Sequence, residues 1–436
     1  MLIILLIDRT IISSILRLRI VLYVQLITGH RNSMFERGDV SDPLAGIKII
    51  DLTSVISGPF ATMILADQGA DVIKVENING GDFTRSVGNK RGGFPASFLN
   101  NNRNKRSIAI DLKSTDGRAI FMKLVSQADA LVQNFRPGTM ERMGLGEKDV
   151  RQVAPDILYV SISGFGQIGP YAKKPVYDPL VQALSGLATV QAGADQERPK
   201  LVRTILPDKL TGVTAAQAIT AGLLARARTG QGQHIELSML SSVMSFLWSS
   251  DMEHQTFIGE EHDEAYPQSF LDLIYETTDG YISAAVQTDK QWLGLTRALE
   301  KPEWLEDGRF KSTVLRARNI DERLAFTQEV LKCNTSDYWL ERLEAEDVPC
   351  APVLTRSQVI DHPQFTQNDM FIQSEHKSAG SLRHARPAAR FSHERASIRH
   401  QAPALGEHTD EILTELGFGA VEIAKFVSES VVAKKA

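Results

Sequence analysis

The sequence has little cysteine: its 436 residues include only Cys333 and Cys350. Two isolated cysteines cannot form the disulfide framework of a small secreted protein or the ligand cluster of a structural zinc site. We therefore expect a reducing, cytoplasmic compartment, no bound metal ion and no nucleophilic thiol.

The sequence also lacks a strong excess of charge of one sign. Its 48 basic and 53 acidic residues leave a formal net charge of -5, which provides no general attraction to nucleic acid. The hydrophobic content of 43% and the charged content of 23% are typical of a globular protein. A chain of this length usually divides into two domains.

No uninterrupted apolar run is long enough to cross a membrane. A spanning helix needs about 20 mostly apolar residues, whereas residues 1–28 are interrupted by Asp8, Arg9, Arg17 and Arg19. We therefore expect no membrane partner. We place residues 1–40 outside the predicted domains. We interpret residues 1–33 as a non-native upstream extension. A chain that begins at Met34 should fold and remain active, and loss of either property would contradict this interpretation.

The segment that follows alternates between strand and helix patterns. Apolar strand patterns at 48–52 and 71–76 flank a helix pattern at 60–66. This βαβ unit predicts a parallel sheet with right-handed crossovers. Since such sheets bind ligands beyond the carboxyl ends of their strands, the loops 53–59 and 77–85 are candidate binding segments.

Two groups of basic residues are candidate phosphate contacts. Arg136 follows a predicted strand, and Arg142 lies on the next predicted helix. Two guanidinium groups beside a sheet crevice suit a diphosphate or a phosphomonoester. The cluster of Arg103, Lys105 and Arg106 predicts either a phosphate site or a solvated basic turn.

The segment from Gly164 to Gly169 matches the glycine pattern of dinucleotide-binding proteins. That pattern requires its third glycine to lie inside an opening helix. Here Pro170 follows at once and Pro175 five residues later, so we expect the segment to remain a loop. A nicotinamide cofactor is therefore not expected.

Asp208 stands between an apolar run and a helix pattern that is rich in small residues and starts near Lys209. A carboxylate in this place either caps the helix or acts as a nucleophile, and these residues alone leave both interpretations open. In either role the helix dipole should keep it ionised. Asp178 has two similar interpretations, a helix cap or a carboxylate that faces the ligand.

Short motifs occur in order along the chain: GIKIIDL at 46–52, SGP at 57–59, GADVIKVE at 69–76, GDFTR at 81–85, NKRS at 104–107, NFRPG at 134–138, SGFG at 163–166, YD at 177–178, TGQGQ at 229–233 and PCAP at 349–352. As a set they resemble the class III CoA-transferases (CaiB/BaiF type), the family of formyl-CoA transferase and carnitine CoA-transferase. The resemblance covers residues 43–436.

The resemblance implies an α/β fold with two domains. A Rossmann-like large domain with a parallel sheet would be built from both ends of the chain, residues 41–240 and 346–436, the second part including a linker. A smaller α/β domain would occupy residues 265–345. The resemblance also implies a homodimer in which two chains interlock like links.

The resemblance further implies covalent catalysis. Asp208 matches the catalytic aspartate of the family, which attacks an acyl-CoA, becomes an aspartyl-CoA thioester and passes CoA to a free carboxylic acid. The CoA thioester is then a substrate, and no cofactor is bound permanently. The matched CoA contacts are Ser57, Ile110, Asp111, Leu112, Lys113, Asn134, Phe135, Arg136, Arg142, Val176, Tyr177 and Asp178.

Two other functions remain as alternatives. The α-methylacyl-CoA racemases of the same superfamily use a histidine and an aspartate, but this sequence has no histidine between His30 and His234. The other alternative is a non-catalytic CoA-binding protein, which would not need a nucleophile at Asp208. An α-proton exchange assay and the variant Asp208→Ala distinguish these alternatives from CoA transfer.

The sequence departs from formyl-CoA transferase at three places. Ile56 and Asn77 stand where that enzyme has glutamine and arginine, and its glycine-rich loop has no counterpart between Gly259 and Gly280. We therefore expect an acid larger than formate or oxalate, such as a dicarboxylate or an aromatic acid.

Overall fold

The structure is a computed structural model that describes residues 42–193, 195–259, 273–392 and 398–435. Two parts of the sequence discussed above lie outside the described residues. They are the predicted extension at 1–40 and most of the segment between Gly259 and Gly280, where formyl-CoA transferase has its glycine-rich loop. Within the described ranges, no helix is both long enough and apolar enough to cross a membrane.

The strands are short and occur throughout the described chain. In order they are β1 (Lys48–Leu52), β2 (Asp71–Glu76), β3 (Lys90–Arg91), β4 (Phe94–Pro95), β5 (Lys105–Ile110), β6 (Ala130–Gln133), β7 (Leu158–Ser163), β8 (His234–Ser238), β9 (Ile274–Glu276), β10 (Tyr281–Ala284), β11 (Cys350–Pro352), β12 (Phe371–His376), β13 (Gly380–Ala385) and β14 (Val432–Ala433).

Helices connect most of these strands, and two short 3₁₀ turns occur at Phe83–Arg85 and Pro302–Leu305. The α-helices of the first half are α1 (Ser57–Asp67), α2 (Ala96–Asn102), α3 (Thr115–Val125), α4 (Thr139–Arg142), α5 (Glu147–Val153), α6 (Asp178–Leu184), α7 (Leu187–Val190) and α8 (Leu206–Thr229). Those of the second half are α9 (Met239–Leu247), α10 (Glu253–Thr256), α11 (Asp289–Ala298), α12 (Thr313–Arg318), α13 (Ile320–Leu331), α14 (Ser336–Ala345), α15 (Gln358–Asp361), α16 (Pro363–Gln367), α17 (Thr409–Glu415) and α18 (Ala420–Ser428).

Seven strands form the main sheet in the order β14-β5-β2-β1-β6-β7-β8. All neighbouring pairs are parallel except β14 with β5, which is antiparallel. The prediction of a large parallel sheet is therefore confirmed. Without β14, the order is that of doubly wound dinucleotide-binding sheets, whose ligands bind where the strand order reverses. Here that point lies between β1 and β6.

Each face of the main sheet carries its own apolar cluster. Successive side chains of a strand point to opposite faces. Ile50 therefore packs with α3 and the C-terminal helices, whereas its neighbour Ile49 packs with α1 and α8. Both residues are fully buried, as expected for a parallel sheet covered on both sides. Since β14, α17 and α18 contribute to the sheet and its first cluster, this layer combines both ends of the described chain.

Small residues allow helices α1 and α8 to pack closely together. Gly212 lies on the buried face of α8, and a Cβ atom there would be 2.9 Å from the backbone oxygen of Ser57 and 2.8 Å from the Phe60 ring. Ala215 and Ala216 continue the same face one turn later and are buried. The amino-terminal ends of the two helices are therefore neighbours.

A second, three-stranded sheet has the order β11-β10-β9 and is antiparallel. It packs with an aromatic cluster that includes Trp292, Trp304, Phe310 and Trp339. This cluster shares no residue with the two clusters of the main sheet. The domain boundaries given above stay predictions.

The prediction for the basic cluster at 103–106 is wrong in both of its forms. Arg103 and Lys105 are buried, and they form ion pairs of 2.6 Å with Asp67 and 2.8 Å with Asp51. Arg106 instead pairs with three carboxylates, those of Asp71, Glu411 and Glu415. All three cations therefore hold elements of the fold together, and neither a phosphate nor bulk solvent takes their charge.

The Asp51–Lys105 pair lies inside the main sheet, and both side chains are fully buried. Burial raises the pKa of Asp51, but the ammonium groups of Lys105 and Lys74 outweigh it and hold that pKa well below its usual range. Lys105 also donates to the backbone oxygen of Pro59, 2.9 Å away. The pair therefore joins β1, β5 and the first turn of α1.

We predict that Lys105→Met lowers the free energy of unfolding by about 3–5 kcal/mol, because it leaves a buried carboxylate without its partner. The double variant Asp51→Asn with Lys105→Met should recover part of this loss, since it removes both charges. Urea unfolding followed by circular dichroism at neutral pH measures both values. A single variant as stable as the unsubstituted protein would contradict the prediction.

Candidate active site

A cavity of about 180 Å³ opens at the carboxyl ends of β1, β6 and β7. It lies at the point where the strand order reverses, as expected for a doubly wound sheet. Its lining combines polar groups with a few apolar side chains, and the residues are Ser54, Val55, Ser57, Asn134, Arg136, Ile162, Ser163, Gly164, Val176, Tyr177, Asp208 and Met239.

The loop between β1 and α1 forms one wall of the cavity, and other elements hold its backbone. The side-chain amide of Asn134 donates to the Ser54 oxygen at 2.8 Å and accepts from the Ser54 nitrogen at 3.0 Å. The nitrogen of Val55 donates to Asp82 at 3.2 Å. Val55 has a φ angle of +72°, which is disfavoured for a β-branched residue.

Asp208 lies on the opposite wall, in the first turn of α8. This helix begins at Leu206, three residues earlier than predicted, and Ile205 occupies the cap position. The helix-cap interpretation of Asp208 is therefore wrong. Pro207 is tolerated at the second position because no helical hydrogen bond is lost there. As the third residue, Asp208 lies within hydrogen-bond distance of the hydroxyl and the backbone amide of Ser57.

Asp178 supports Asp208 from behind and does not line the cavity. It is buried and is the first residue of α6, whose cap position is Tyr177. Its carboxylate accepts from the Gln182 amide at 2.6 Å and from the backbone nitrogen of Asp208 at 3.2 Å. The helix-cap interpretation of Asp178 is therefore wrong, and its contact with the ligand stays a prediction.

Burial and the Asp178 carboxylate raise the pKa of Asp208 from 3.8 to about 6, although the hydroxyl and amide of Ser57 lower it. The helix dipole was expected to keep Asp208 ionised, but burial and the Asp178 charge oppose ionisation. A carboxyl group with a pKa of about 6 is still about 90% ionised at pH 7. Asp208 is thus a carboxylate whose charge is only weakly stabilised by its surroundings.

The structure brings together part of the predicted site. Six of the predicted residues line the cavity: Ser57, Asn134, Arg136, Val176, Tyr177 and Asp208. Phe135 and Arg142 are not among the lining residues, and Arg142 donates to Thr139 at 2.9 Å. Ile110 ends β5 and residues 111–113 follow it, and β5 is separated from β1 by β2. The CoA contacts of all these residues stay predictions.

Sequence reasoning missed several lining residues. Ile162, Ser163 and Gly164 follow from the same rule about strand ends, since they close β7. The loop prediction for the segment after Ser163 is confirmed, because no helix forms there before α6. Met239 begins α9, and nothing in its sequence context points to the cavity.

Arg136 carries the free positive charge of the cavity. Its side chain is exposed, and it follows the carboxyl end of β6. Among the described residues, the structure records no hydrogen bond or ion pair for its guanidinium group. The cavity therefore combines an ionised carboxylate with an available cation, an arrangement that suits a ligand with both an electrophilic carbon and an anionic group.

Comparison with known proteins gives consistent results. Residues 44–409 match the model of a family described as CoA-transferase family III. The chain is 35% identical to a human succinyl-CoA:glutarate CoA-transferase over 381 residues, which cover 86% of each protein. It is 34% identical to the acetyl-CoA:oxalate CoA-transferase of Acetobacter aceti over 371 residues, 84% of this chain and 93% of that protein. The crystal structure of a CaiB/BaiF family protein from Brucella suis matches with a TM-score of 0.75 at 31% identity, covering 86% of this chain and all of that one (100%).

We predict that Asp208→Asn stabilises the protein by about 2–3 kcal/mol at pH 7, because the native carboxyl has a raised pKa. The folded protein keeps a proton on Asp208 at a pH where the unfolded chain has lost it. Its stability therefore falls as the pH rises from about 4 through 6, and the amide removes this loss. Thermal unfolding from pH 4 to pH 8 compares the two proteins. A difference that does not grow with pH would contradict the prediction.

Proposed function

The chain belongs to CoA-transferase family III, and we propose that it moves CoA from an acyl-CoA to a free carboxylic acid through an aspartyl-CoA thioester on Asp208. One observation carries this mechanism: Asp208 is the only carboxylate among the described residues that line the cavity. It faces donors on Ser57 and shares the cavity with the unpaired Arg136.

The proposed reaction exchanges one acyl bond for another at each step. An oxygen of Asp208 attacks the thioester carbon, the carbon–sulfur bond breaks, and CoA leaves as a thiolate. The thiolate then attacks the aspartyl carbonyl of the mixed anhydride, which releases the donor acid and leaves CoA on Asp208. The acceptor carboxylate attacks this thioester, the carbon–sulfur bond breaks, and CoA leaves again as a thiolate. The thiolate finally attacks the acceptor acyl carbon of the second anhydride, which forms the new acyl-CoA and releases Asp208 as a carboxylate.

The surroundings of Asp208 suit this chemistry. Burial and the Asp178 charge destabilise the ionised carboxylate, and acylation of Asp208 removes its charge and this penalty. The amide and hydroxyl of Ser57 are then free to donate to the oxygen on which negative charge develops during each attack. The same cavity would therefore serve both the nucleophile and the tetrahedral intermediates.

We propose that CoA lies along the carboxyl edge of the main sheet. Arg136 would bind phosphate at the cavity, and residues 110–113 would contact the distant end of the CoA molecule. Since adjacent strands are about 4.8 Å apart, the end of β5 lies roughly 10 Å from that of β1, a distance that an extended CoA molecule spans. Phe135 and Arg142 would also contact CoA.

We propose a dicarboxylic acid as a substrate. The human relative is named for succinyl-CoA and glutarate, and the sequence departs from formyl-CoA transferase at Ile56 and Asn77. A panel of succinate, glutarate, oxalate, formate and benzoate as acceptors tests this choice. Rates that are highest with oxalate or formate would contradict it.

We also propose an interlocked homodimer with the two domains given above, in the cytoplasm. A largely apolar cleft of about 620 Å³ runs between the outer faces of α1 and α8 and the segment 383–391, and a second copy would cover it. Sedimentation of the protein should give twice the chain mass of 48.2 kDa. A monomer at micromolar concentration would contradict the dimer.

We predict that incubation with an acyl-CoA adds CoA to Asp208, detected as a mass increase that hydroxylamine removes. Borohydride should reduce the same thioester, and peptide mapping locates the change. Asp208→Ala should abolish transfer but leave CoA binding within about threefold, because it removes the nucleophile and no phosphate contact.

Asp178→Asn is the matched control, since it removes a neighbouring carboxylate and leaves the nucleophile in place. It should still form the adduct. Unchanged transfer by Asp208→Ala would contradict the mechanism. Deuterium uptake by a 2-methylacyl-CoA without CoA transfer would favour racemase chemistry instead.

A further inference from the structure

We propose that the buried Lys74–Asp82 ion pair is a positioning device that holds the β1–α1 loop so that Ser57 meets Asp208. Lys74 lies on β2, and Asp82 precedes the 3₁₀ turn at Phe83–Arg85. Neither residue lines the cavity. The inference rests on the proposed role of Asp208 as nucleophile.

The ion pair is buried directly beneath the loop. The Lys74 ammonium lies 2.9 Å from the Asp82 carboxylate, and both side chains are fully buried. Lys74 also donates to the backbone oxygen of Thr53 at 2.8 Å, and Asp82 accepts from the backbone nitrogen of Val55 at 3.2 Å. Each member of the pair therefore holds one peptide group of the loop.

The loop needs such support because its backbone is strained. Val55 adopts a φ of +72°, a conformation that β-branched residues rarely adopt. Such a conformation persists only where the surrounding structure imposes it. Without the bond from Val55 to Asp82, the loop would relax, and Ser57 lies only two residues further along the chain.

The buried charged groups form hydrogen bonds with the backbone before and after Ser57, but not with Ser57 itself. Lys74 and Asp82 hold Thr53 and Val55 before it, and Lys105 holds the oxygen of Pro59 after it. The amide and hydroxyl of Ser57 instead face Asp208. Buried ion pairs are often no more stabilising than apolar side chains of equal size, so stability alone is a weak reason for this arrangement.

The acid limb of the pH–rate profile reports the position of Ser57. The donors of Ser57 lower the pKa of Asp208, whereas burial and Asp178 raise it. Asp178 faces Asp208 from α6, Arg136 and Tyr177 share its cavity, and Lys209 follows it on α8. Substitution of Lys74 or Asp82 changes none of these groups. Its effect on the titration of Asp208 therefore acts through the position of Ser57.

The test is Asp82→Asn in the full-length enzyme with one acyl-CoA and one acceptor acid. We expect kcat and the rate of adduct formation to fall about 10- to 100-fold, with KM for the acyl-CoA changed by less than about threefold. The acid limb of kcat/KM should move to higher pH, because Ser57 stabilises the carboxylate less. A purely structural role would reduce the amount of active enzyme and scale the whole profile without moving this limb.

A second variant is needed because Asp82→Asn leaves Lys74 buried without its partner. The double variant Lys74→Met with Asp82→Asn removes both charges. Glu76 then keeps Arg85 and Asp51 keeps Lys105 as ion-pair partners. The double variant should show the same loss of kcat and the same movement of the acid limb.

Asp67→Asn is the matched control. It breaks the buried Arg103–Asp67 pair at the far end of α1, about 15 Å from Ser57 along the helix, and it should lower stability while kcat and the acid limb stay unchanged. A wild-type kcat and acid limb in a folded Asp82→Asn or double variant would overturn the positioning role. Asp208→Ala separates the two proposals, because retained transfer in that variant would overturn the nucleophile itself.

Discussion

The candidate site depends on the close approach of two helices. Gly212 lies one turn after Asp208, and its missing side chain lets α8 contact the backbone of Ser57 at the start of α1. A Cβ atom at this position would meet backbone as well as the Phe60 ring, so the helices would have to separate. The close approach of Asp208 to the donors of Ser57 therefore depends on the packing of these two helices at Gly212.

Buried charges determine the rest of the geometry. Asp51, Lys74, Asp82 and Lys105 lie beneath the first loop, and their hydrogen bonds go to its backbone as well as to each other. A loop that is clamped in this way has little freedom to follow a ligand. Apolar packing thus fixes the approach of the two helices, and ion pairs fix the orientation of the donors on one of them.

The parts of the structure that depend on local pattern were predictable from the sequence. The alternation at 48–76 indicated the parallel sheet. The rule about strand ends indicated the loop 53–59, three residues of which line the cavity, whereas the other predicted loop, 77–85, contributes no residue to its lining. The partners of Arg103 and Lys105 were not predictable, because Asp67 and Asp51 lie 36 and 54 residues away in the chain. A basic cluster looks solvated until the fold supplies its carboxylates. The small-residue pattern placed the start of α8 near Lys209, whereas the helix begins at Leu206, because proline at 207 fits its first turn.

The surroundings of Asp208 also favour nucleophilic chemistry over proton transfer at carbon. Exchange of an α-proton needs an acid and a base on opposite sides of the substrate. The described residues that line the cavity include no histidine, and the nearest second carboxylate, Asp178, is held behind Asp208 by Gln182 and by the backbone of Asp208 itself. Both oxygens of Asp178 are thus engaged by protein groups, and its charge acts on Asp208. Burial and a neighbouring charge raise the free energy of the ionised Asp208 carboxylate. A step that removes this charge is therefore favoured, and formation of an acyl bond to the carboxylate is such a step.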